Sequence, residues 1–294
     1  MINVTRISHS TFLTPDLDRQ VEYLINILGL SLIDKSHDQA FLGTTMGQQI
    51  ITLQRAEAAG CHAVSFQTDP NTPIEDTARK LTEHGIDAKM ASDAMPGIGK
   101  TLSFHDPKGT EIQLYSYCDL QHATREHKAI VPLKLGHLAF NVTDIQQIVA
   151  FYRDVLGFRV SDWRHEIFVF MRCGPEHHAI NFALGQSTKM HHIAYEVKDW
   201  AEMLRACDWL GYNGYHIIWG PGRHIIGDNI FIYHRDPDGQ VIELYCEMAK
   251  IEDDCLGQFA TRPWRHDLPY KPQTWDLHTM GNFWGPPIPD NFGK

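Results

Sequence analysis

Long apolar runs, basic clusters and closely paired cysteines are all missing from this chain of 294 residues. No apolar stretch approaches the length of a membrane span, and the start of the sequence lacks the basic and apolar regions of a signal peptide. The formal net charge is −10, and no basic run is present that would follow a phosphate backbone. We therefore expect a soluble, cytoplasmic protein that spans no membrane and binds no nucleic acid.

Cysteine-based and nucleotide-binding motifs are missing as well. The six cysteines are scattered without C-x-x-C spacing, and a chain of this length with 43% hydrophobic residues builds a core without disulfides. Neither a G-x-G-x-x-G fingerprint nor a P-loop is present, so nothing indicates a dinucleotide or a nucleoside triphosphate. We expect reduced cysteines and a chemistry that needs no nucleotide cofactor.

What the sequence does contain is an internal repeat. The stretch I-S-H-S-T-F at 7–12 returns as L-G-H-L-A-F at 135–140, an offset of 128 residues. Later, F-H-D-P-K-G-T-E-I-Q-L-Y returns as H-R-D-P-D-G-Q-V-I-E-L-Y at an offset of 130 residues, which implies a two-residue insertion in the second copy. A repeat of this size predicts two modules of the same fold.

Each copy divides again into two similar halves. Residues 14–28 and 143–156 have apolar residues at helical spacing, begin at Asp-containing caps and end at glycine, and short β-rich runs follow them. The predicted order is β-α-β-β-β, four times in all, an α+β fold of two tandem modules with curved mixed sheets. The predicted domains are an N-terminal module without a metal site, a linker, a catalytic module and a C-terminal tail; their ranges are 1–118, 119–133, 134–247 and 248–294.

The two copies differ at the residues that could bind a metal. The correspondences are His9 with His137, Ala63 with His192, and Gln113 with Glu243. Only the second copy keeps two histidines and a carboxylate. Two neutral imidazoles and one carboxylate on one face of an ion leave adjacent positions open, an arrangement that suits Fe(II). Because neighbouring side chains in a strand face opposite ways, His191 is expected to point away from the metal and to have a packing or surface role.

The segment from Gly222 to Glu243, G-R-H-I-I-G-D-N-I-F-I-Y-H-R-D-P-D-G-Q-V-I-E, resembles the signature of the type I extradiol ring-cleaving dioxygenases of the vicinal-oxygen-chelate superfamily. The resemblance extends over roughly residues 5–247. It implies that His137, His192 and Glu243 bind Fe(II), less often Mn(II). It also implies a catechol cleaved next to its two hydroxyls by insertion of both atoms of dioxygen, which gives a semialdehyde. Homo-oligomers are usual in the family and are expected here.

The resemblance assigns roles to three further residues. His178 matches the distal pocket histidine that stabilises reacting oxygen and then acts as general acid, although its neighbour His177 is an alternative. His224 matches the histidine at the substrate mouth, and Tyr233 matches the tyrosine that hydrogen-bonds a catechol oxygen. Asn229 is expected in a turn, and the aromatic residues of 163–170 in the core rather than in a pocket.

Two alternatives and one open question remain. One alternative is another metalloenzyme of the superfamily, such as a glyoxalase-like isomerase or a hydroquinone dioxygenase; the isomerases generally use four ligands from two modules. The other is a non-catalytic binding protein of the bleomycin-resistance type. The tail, with Trp264, Trp275 and Trp284, is expected to be irregular and to pack over the body, either as a lid or against a neighbouring subunit.

Overall fold

The computed structural model describes residues 1–121, 129–255 and 271–292. In its first half, two β-α-β-β-β units follow each other. They are β1 (Val4–Thr14), α1 (Leu17–Asn26), β2 (Ser31–Lys35), β3 (Gln39–Gly43), β4 (Gln49–Arg55), then β5 (Gly60–Thr68), α2 (Ile74–Glu83), β6 (Lys89–Met95), β7 (Ile98–His105) and β8 (Glu111–Tyr115). These strands form one sheet in the order β2-β3-β4-β1-β5-β8-β7-β6.

The second half repeats the pattern. Its elements are β9 (Lys134–Val142), α3 (Ile145–Asp154), β10 (Arg159–Arg164), β11 (Phe168–Arg172), β12 (Ile180–Leu184), then β13 (Lys189–Glu196), α4 (Trp200–Tyr212), β14 (Trp219–Arg223), β15 (Ile230–Arg235) and β16 (Val241–Cys246). The sheet order is β14-β15-β16-β13-β9-β12-β11-β10-β17. The predicted fold of two tandem modules, each a pair of β-α-β-β-β units, is confirmed.

The last strand of this sheet was not expected from the sequence. In the tail, β17 (Gln273–Trp275) pairs in parallel with β10 at the sheet edge. The prediction of an irregular tail is therefore wrong at these three residues, which gain backbone partners from an edge strand that would otherwise present unpaired groups. Residues 122–128 of the predicted linker and 256–270 of the tail, including Trp264, lie outside the described residues.

Local chemistry explains where the first helix of each module begins and ends. Asp16 accepts a hydrogen bond from the backbone N–H of Arg19 at 3.1 Å, and Asp144 does the same for Gln147 at 2.9 Å. Each N-cap of this kind stabilises a helix by about 1 kcal/mol. After both helices the chain passes through a glycine at positive φ, Gly29 or Gly157.

The D-P-x-G turn recurs with the same internal bonding in both modules. One oxygen of Asp236 accepts the backbone N–H groups of Asp238 and Gln240, at 3.0 and 2.8 Å. The other oxygen accepts a bond at 2.5 Å from Gln20 of α1, in the opposite module. Asp106 of the first turn likewise accepts from Tyr152 of α3 at 3.1 Å. Each turn therefore holds its own hairpin and a helix of the other module.

One apolar core runs through both modules. Phe66 of β5 is fully buried and packs edge-on against Phe158 and Tyr152 of the second module, with ring centroids 5.3 and 6.3 Å apart. Tyr23 of α1 bonds the buried imidazole of His234 at 2.7 Å. The six cysteines are free, as predicted. Within the described ranges, no helix is long and apolar enough to cross a membrane.

Candidate metal centre and active site

Three neighbouring strands bring the predicted ligands together. In the ladder between β9 and β13, His137 lies opposite Ala194 and His192 lies opposite Ala139. Glu243 of β16 lies beside Ala194 in the parallel pairing of β13 with β16. Residues on one face of adjacent strands stand about 5 Å apart, so all three side chains converge above the same part of the sheet.

The donor atoms of this group form a small triangle. His137 Nε2 lies 3.1 Å from His192 Nε2 and 3.0 Å from Glu243 Oε2, and His192 Nε2 lies 3.1 Å from the same oxygen. All three residues are buried. An octahedral ion with ligands at about 2.1 Å has neighbouring ligands about 3.0 Å apart, so the triangle has the size of one octahedral face. The two imidazoles and one carboxylate thus fit a divalent transition metal and leave the opposite face open.

The electrostatics of the group favour the ligand forms. Burial lowers the pKa of His137, which keeps its imidazole neutral. Burial by itself would raise the pKa of Glu243, but the interactions with His137 and His192 outweigh it and hold that pKa well below its usual value. The second oxygen of Glu243 accepts a hydrogen bond from Asn229 Nδ2 at 3.0 Å. Asn229 lies in the loop between β14 and β15, and its side chain orients the carboxylate, a role that the expected turn position did not indicate.

The expectation for His191 was also wrong. Its Nδ1 lies 2.7 Å from His192 Nδ1, and both rings line the same cavity. The cause is a β-bulge, because the register of β13 against β9 shifts between Met190 and His192. A bulge inserts one extra residue and breaks the alternation of faces on which the expectation depended.

The two candidates for the distal histidine occupy different layers. His178 lines the cavity, and its ring stacks edge-on over His137 with centroids 4.3 Å apart. His177 is fully buried behind it, and the two Nδ1 atoms are 2.9 Å apart. Burial lowers the pKa of His178 well below its usual value, so its imidazole is neutral at pH 7. The structure thus places His178, and not His177, next to the candidate metal ligand His137.

His224 and Tyr233 form a hydrogen-bonded pair that lines the same cavity. The Nδ1 atom of His224 donates to the carbonyl of Gly281 at 2.6 Å, because a carbonyl can only accept. Burial lowers the pKa of His224 to about 4, so the ring is neutral and its Nε2 accepts from the Tyr233 hydroxyl at 3.0 Å. Burial also raises the pKa of Tyr233 well above its usual value. The phenol stays protonated and its oxygen lone pairs remain available to a ligand.

These side chains open into a cavity of about 720 Å³. Phe168 and Phe170 of β11 form part of its wall, with ring centroids 4.7 Å apart, which corrects the expectation that these aromatics belong to the core. Residues of the tail from Leu277 to Ile288 form another part. Arg164 fixes this wall by donating two hydrogen bonds to the carbonyl of Leu277, at 3.2 and 2.8 Å. The tail therefore covers the site of its own chain, as a lid would.

The equivalent position of the first module is closed. His9 Nε2 bonds Ser65 Oγ at 2.8 Å, and the same hydroxyl donates to Gln113 Oε1 at 2.6 Å. The strand registers agree with the sequence alignment, because Thr11 pairs with Ala63 as Ala139 pairs with His192. Ala63 stands in place of the second histidine. The side chains of His9, Ser65 and Gln113 hydrogen-bond one another, and together they do not provide the donor set that a metal needs.

Two groups that orient residues of the candidate site were not predicted from the sequence. Asp162 bonds His177 at 2.9 Å, and the carbonyl of Gly281 fixes the ring of His224. The only sequence signal for the contact between Asp162 and His177 is an aspartate within a β-rich run, since a charged side chain that becomes buried there needs a partner. The second is a backbone group, on which the sequence carries no side-chain signal.

Comparison with known proteins relates the second module to a protein superfamily. Residues 134–244 match the model of the Glyoxalase/Bleomycin resistance protein/Dioxygenase superfamily. The second module is similar to this superfamily over nearly its whole length. The matched range contains all three predicted ligands and ends one residue after Glu243. The candidate metal site therefore lies entirely within the part of the chain that matches the superfamily.

Relatives extend over more of the chain. The manganese-dependent 2,3-dihydroxybiphenyl 1,2-dioxygenase of Geobacillus genomosp. 3 is 25% identical over 267 residues, which cover 82% of this chain and 85% of that protein. Two solved structures share the fold. The Mn(II)-bound glyoxalase from Novosphingobium aromaticivorans is 24% identical, with a TM-score of 0.85 and coverage of 98% of this chain and 94% of that one. Homoprotocatechuate 2,3-dioxygenase from Brevibacterium fuscum is 21% identical, with a TM-score of 0.81 and coverage of 99% and 92%.

Proposed function

We propose that this protein is an extradiol dioxygenase that opens the ring of a catechol next to its two hydroxyls. The observation that carries the proposal is the triangle of His137, His192 and Glu243, which faces a cavity that also presents His178 and Tyr233. The relative from Geobacillus is named a dioxygenase that acts on 2,3-dihydroxybiphenyl, a catechol.

The two histidines and Glu243 would hold Fe(II) or Mn(II), both of which accept this donor set. When bound, the metal supplies acidity to a coordinated catechol hydroxyl and the electron transfer between catechol and dioxygen. Fe(II) is our first choice, as the sequence resemblance implies, and the manganese-dependent relative supports Mn(II) as the alternative.

The chain's own residues bind the substrate and move protons. The Tyr233 oxygen, whose proton goes to His224, offers lone pairs to a catechol hydroxyl. The neutral imidazole of His178 is able to accept a proton from the substrate and return it to a product oxygen, as a general base and then a general acid do. The aromatic wall of Phe168 and Phe170 receives the ring and excludes water.

The size of the cavity favours a catechol with a large apolar substituent. A volume of about 720 Å³ lies in the upper part of the range for small-molecule sites, which is roughly 300–1,000 Å³. We therefore propose a substituted or two-ring catechol over catechol itself.

The isomerase alternative needs a fourth protein ligand. Among the residues that the structure describes, the group of donors has three members, and all of them belong to the second module. A non-catalytic binding protein, in turn, would have no use for two histidines and a glutamate at contact distance.

Oxygen consumption tests the proposal directly. Protein purified anaerobically and loaded with Fe(II), or in a parallel sample with Mn(II), is expected to consume one dioxygen per catechol and to yield a yellow ring-opened product. An oxygen electrode and an absorption spectrum, applied to a panel of one-ring and two-ring catechols, measure both. A colourless product from cleavage between the hydroxyls, or no oxygen uptake across the panel, would contradict the proposal.

A further inference from the structure

Behind His178 lies a chain of buried polar groups that the proposed chemistry does not yet use. Asp162 Oδ2 lies 2.9 Å from His177 Nε2, and His177 Nδ1 lies 2.9 Å from His178 Nδ1. The side chains of Asp162 and His177 are completely buried. A buried carboxylate in line with two imidazoles is costly to desolvate, so its partners have to compensate for that cost.

The carboxylate of Asp162 is fixed at both of its oxygens. While Oδ2 faces His177, Oδ1 accepts the backbone N–H of Gln273 in β17 at 2.9 Å. The guanidinium of Arg172 bonds Ser161, the preceding residue, at 3.0 Å and brings a positive charge close to the carboxylate. With Oδ1 accepting from Gln273, the other oxygen of Asp162 faces His177 as a hydrogen-bond acceptor.

Asp162 stands at one end of the row Asp162–His177–His178, and its role as acceptor sets the direction of each hydrogen bond in that row. Because the carboxylate of Asp162 accepts, His177 carries a hydrogen on Nε2, and with that single hydrogen it accepts at Nδ1. The hydrogen between the two rings therefore belongs to Nδ1 of His178. The Nε2 atom of His178 is left unprotonated, and among the described residues it has no hydrogen-bond partner, although the ring lines the cavity.

We propose that Asp162 and His177 are positioning residues that fix the tautomer of His178, so that its Nε2 faces the substrate as a proton acceptor. The role of that acceptor rests on the proposed function, whereas the tautomer does not. The tail takes part, because the backbone of Gln273 holds Asp162 in the orientation that starts the chain.

Asp162→Asn offers a sharp test because the shape of the side chain is kept. The amide oxygen must face the N–H of Gln273, since two donors cannot meet there, and the amide NH₂ group then faces His177 Nε2. His177 is forced to carry its hydrogen on Nδ1 and to donate it to His178 Nδ1. The hydrogen of His178 moves to Nε2, and the acceptor in the cavity becomes a donor.

Nitrogen NMR of metal-free protein with ¹⁵N-labelled histidine reads these tautomers without any need for activity. The expected result is His178 protonated at Nδ1 in the unaltered protein and at Nε2 in Asp162→Asn, with His178→Gln used to assign the signals. Asp106→Asn, which changes a buried carboxylate of the first module, is the matched control and leaves the His178 signals in place. A His178 protonated at Nε2 in the unaltered protein, or unchanged by Asp162→Asn, overturns the proposal.

Kinetics of the metal-loaded enzyme provide the second readout. A wrong tautomer of a proton-transferring histidine is expected to lower kcat by about 10²–10⁴-fold, with little change in KM and an unchanged metal content. An inverted tautomer with unchanged kcat overturns the positioning role. If the tautomers behave as expected but no catechol is cleaved by the unaltered protein, the inference about the chain stands and the proposed function fails. Should Asp162→Asn not fold, His177→Gln, which removes the middle of the chain, is expected to lower kcat in the same way.

Discussion

At the scale of single residues, Glu243 of β16 and Gln113 of β8 occupy the same place in two copies of one hairpin. Glu243 faces two histidines, while Gln113 accepts a bond from Ser65, which in turn contacts His9. An amide in place of a carboxylate removes the negative charge that a divalent ion needs. The difference between Glu243 and Gln113 is thus one reason why the second module has a candidate metal site and the first module has a closed hydrogen-bonded group.

Glu243→Gln is expected to remove the metal site and leave the fold intact. The neutral amide binds a divalent ion more weakly, and we expect metal affinity to fall by more than about 100-fold, the upper limit for loss of a group that only supports a ligand. Metal content after dialysis and oxygen uptake measure the effect. Glu111→Gln, on the equivalent hairpin of the first module, is the control. Full metal content and activity in the Glu243 variant would mean that the ligand assignment is wrong.

His9 shows what a buried histidine without a metal does to stability. Burial lowers its pKa from 6.5 to about 4. The unfolded chain therefore binds a proton between pH 6.5 and 4 that the folded protein does not, and this contribution to stability is lost as the pH falls through that window. From pH 7 to pH 5 the loss amounts to about 2 kcal/mol.

His9→Gln is expected to lose about 2 kcal/mol less than the unaltered protein between pH 7 and pH 5. The measurement is the free energy of unfolding by urea at the two pH values. His62→Gln, which changes an exposed histidine on β5, is the control and should keep the original pH dependence. An equal loss in the His9 variant would show that His9 is not held neutral by burial.

At the scale of elements, the tail is attached to the second module at two places. Its strand β17 pairs with β10, and the ring of Phe292 is buried. Phe292 packs against Tyr233 and Trp219, with ring centroids 4.9 and 5.7 Å apart. The segment between these anchors forms one wall of the cavity, so the stability of a peripheral segment bears directly on substrate binding.

Phe292→Ala is expected to loosen the end of the tail. Removal of a buried phenylalanine ring costs about 3–5 kcal/mol in a core, and in a segment held at two places this cost falls first on the local attachment. We expect faster proteolysis within the tail and a higher KM for catechol, with a smaller effect on kcat. Phe283→Ala, whose ring is 52% exposed, should leave both unchanged. An unchanged KM in the Phe292 variant would mean that the tail does not shape the site.

At the scale of the whole molecule, the two modules share one core. Phe66 of the first module packs on Phe158 of the second, and Tyr23 bonds His234 across the same boundary. The seven tryptophans all lie after residue 160, so tryptophan fluorescence reports on the second half of the chain alone. A mutation in the first module therefore tests whether the halves unfold together.

Phe66→Ala is expected to destabilise both modules at once, by about 3–5 kcal/mol. Because the buried ring belongs to a continuous core, the unfolding transition seen by tryptophan fluorescence should move to lower urea concentration together with that seen by circular dichroism. Phe41→Ala, at a half-buried position of β3, is a milder comparison within the same module. An unchanged fluorescence transition beside an earlier loss of circular dichroism would mean that the modules unfold independently.

Much of this protein is determined by the sequence itself. The repeat and the helix caps predicted four β-α-β-β-β units, and the difference between Glu243 and Gln113 predicted which module carries the metal candidate. These features are local or periodic. An N-cap and a D-P-x-G turn can be recognised because their physical causes lie within a few residues of each other, and the repeat can be recognised because the same pattern returns after 128 residues. The exact ligand roles of His137, His192 and Glu243 stay a prediction.

Other features were decided only by the tertiary structure. The bulge at His191 depends on the pairing of β13 with β9, and a strand pattern read alone assigns that side chain to the wrong face. The contact of Asp162 with His177, and the seating of Gln273 on Asp162, join segments 15 and 111 residues apart in sequence. Side chains so far apart meet because packing and strand order bring them together, and neither carries a local signal of its partner.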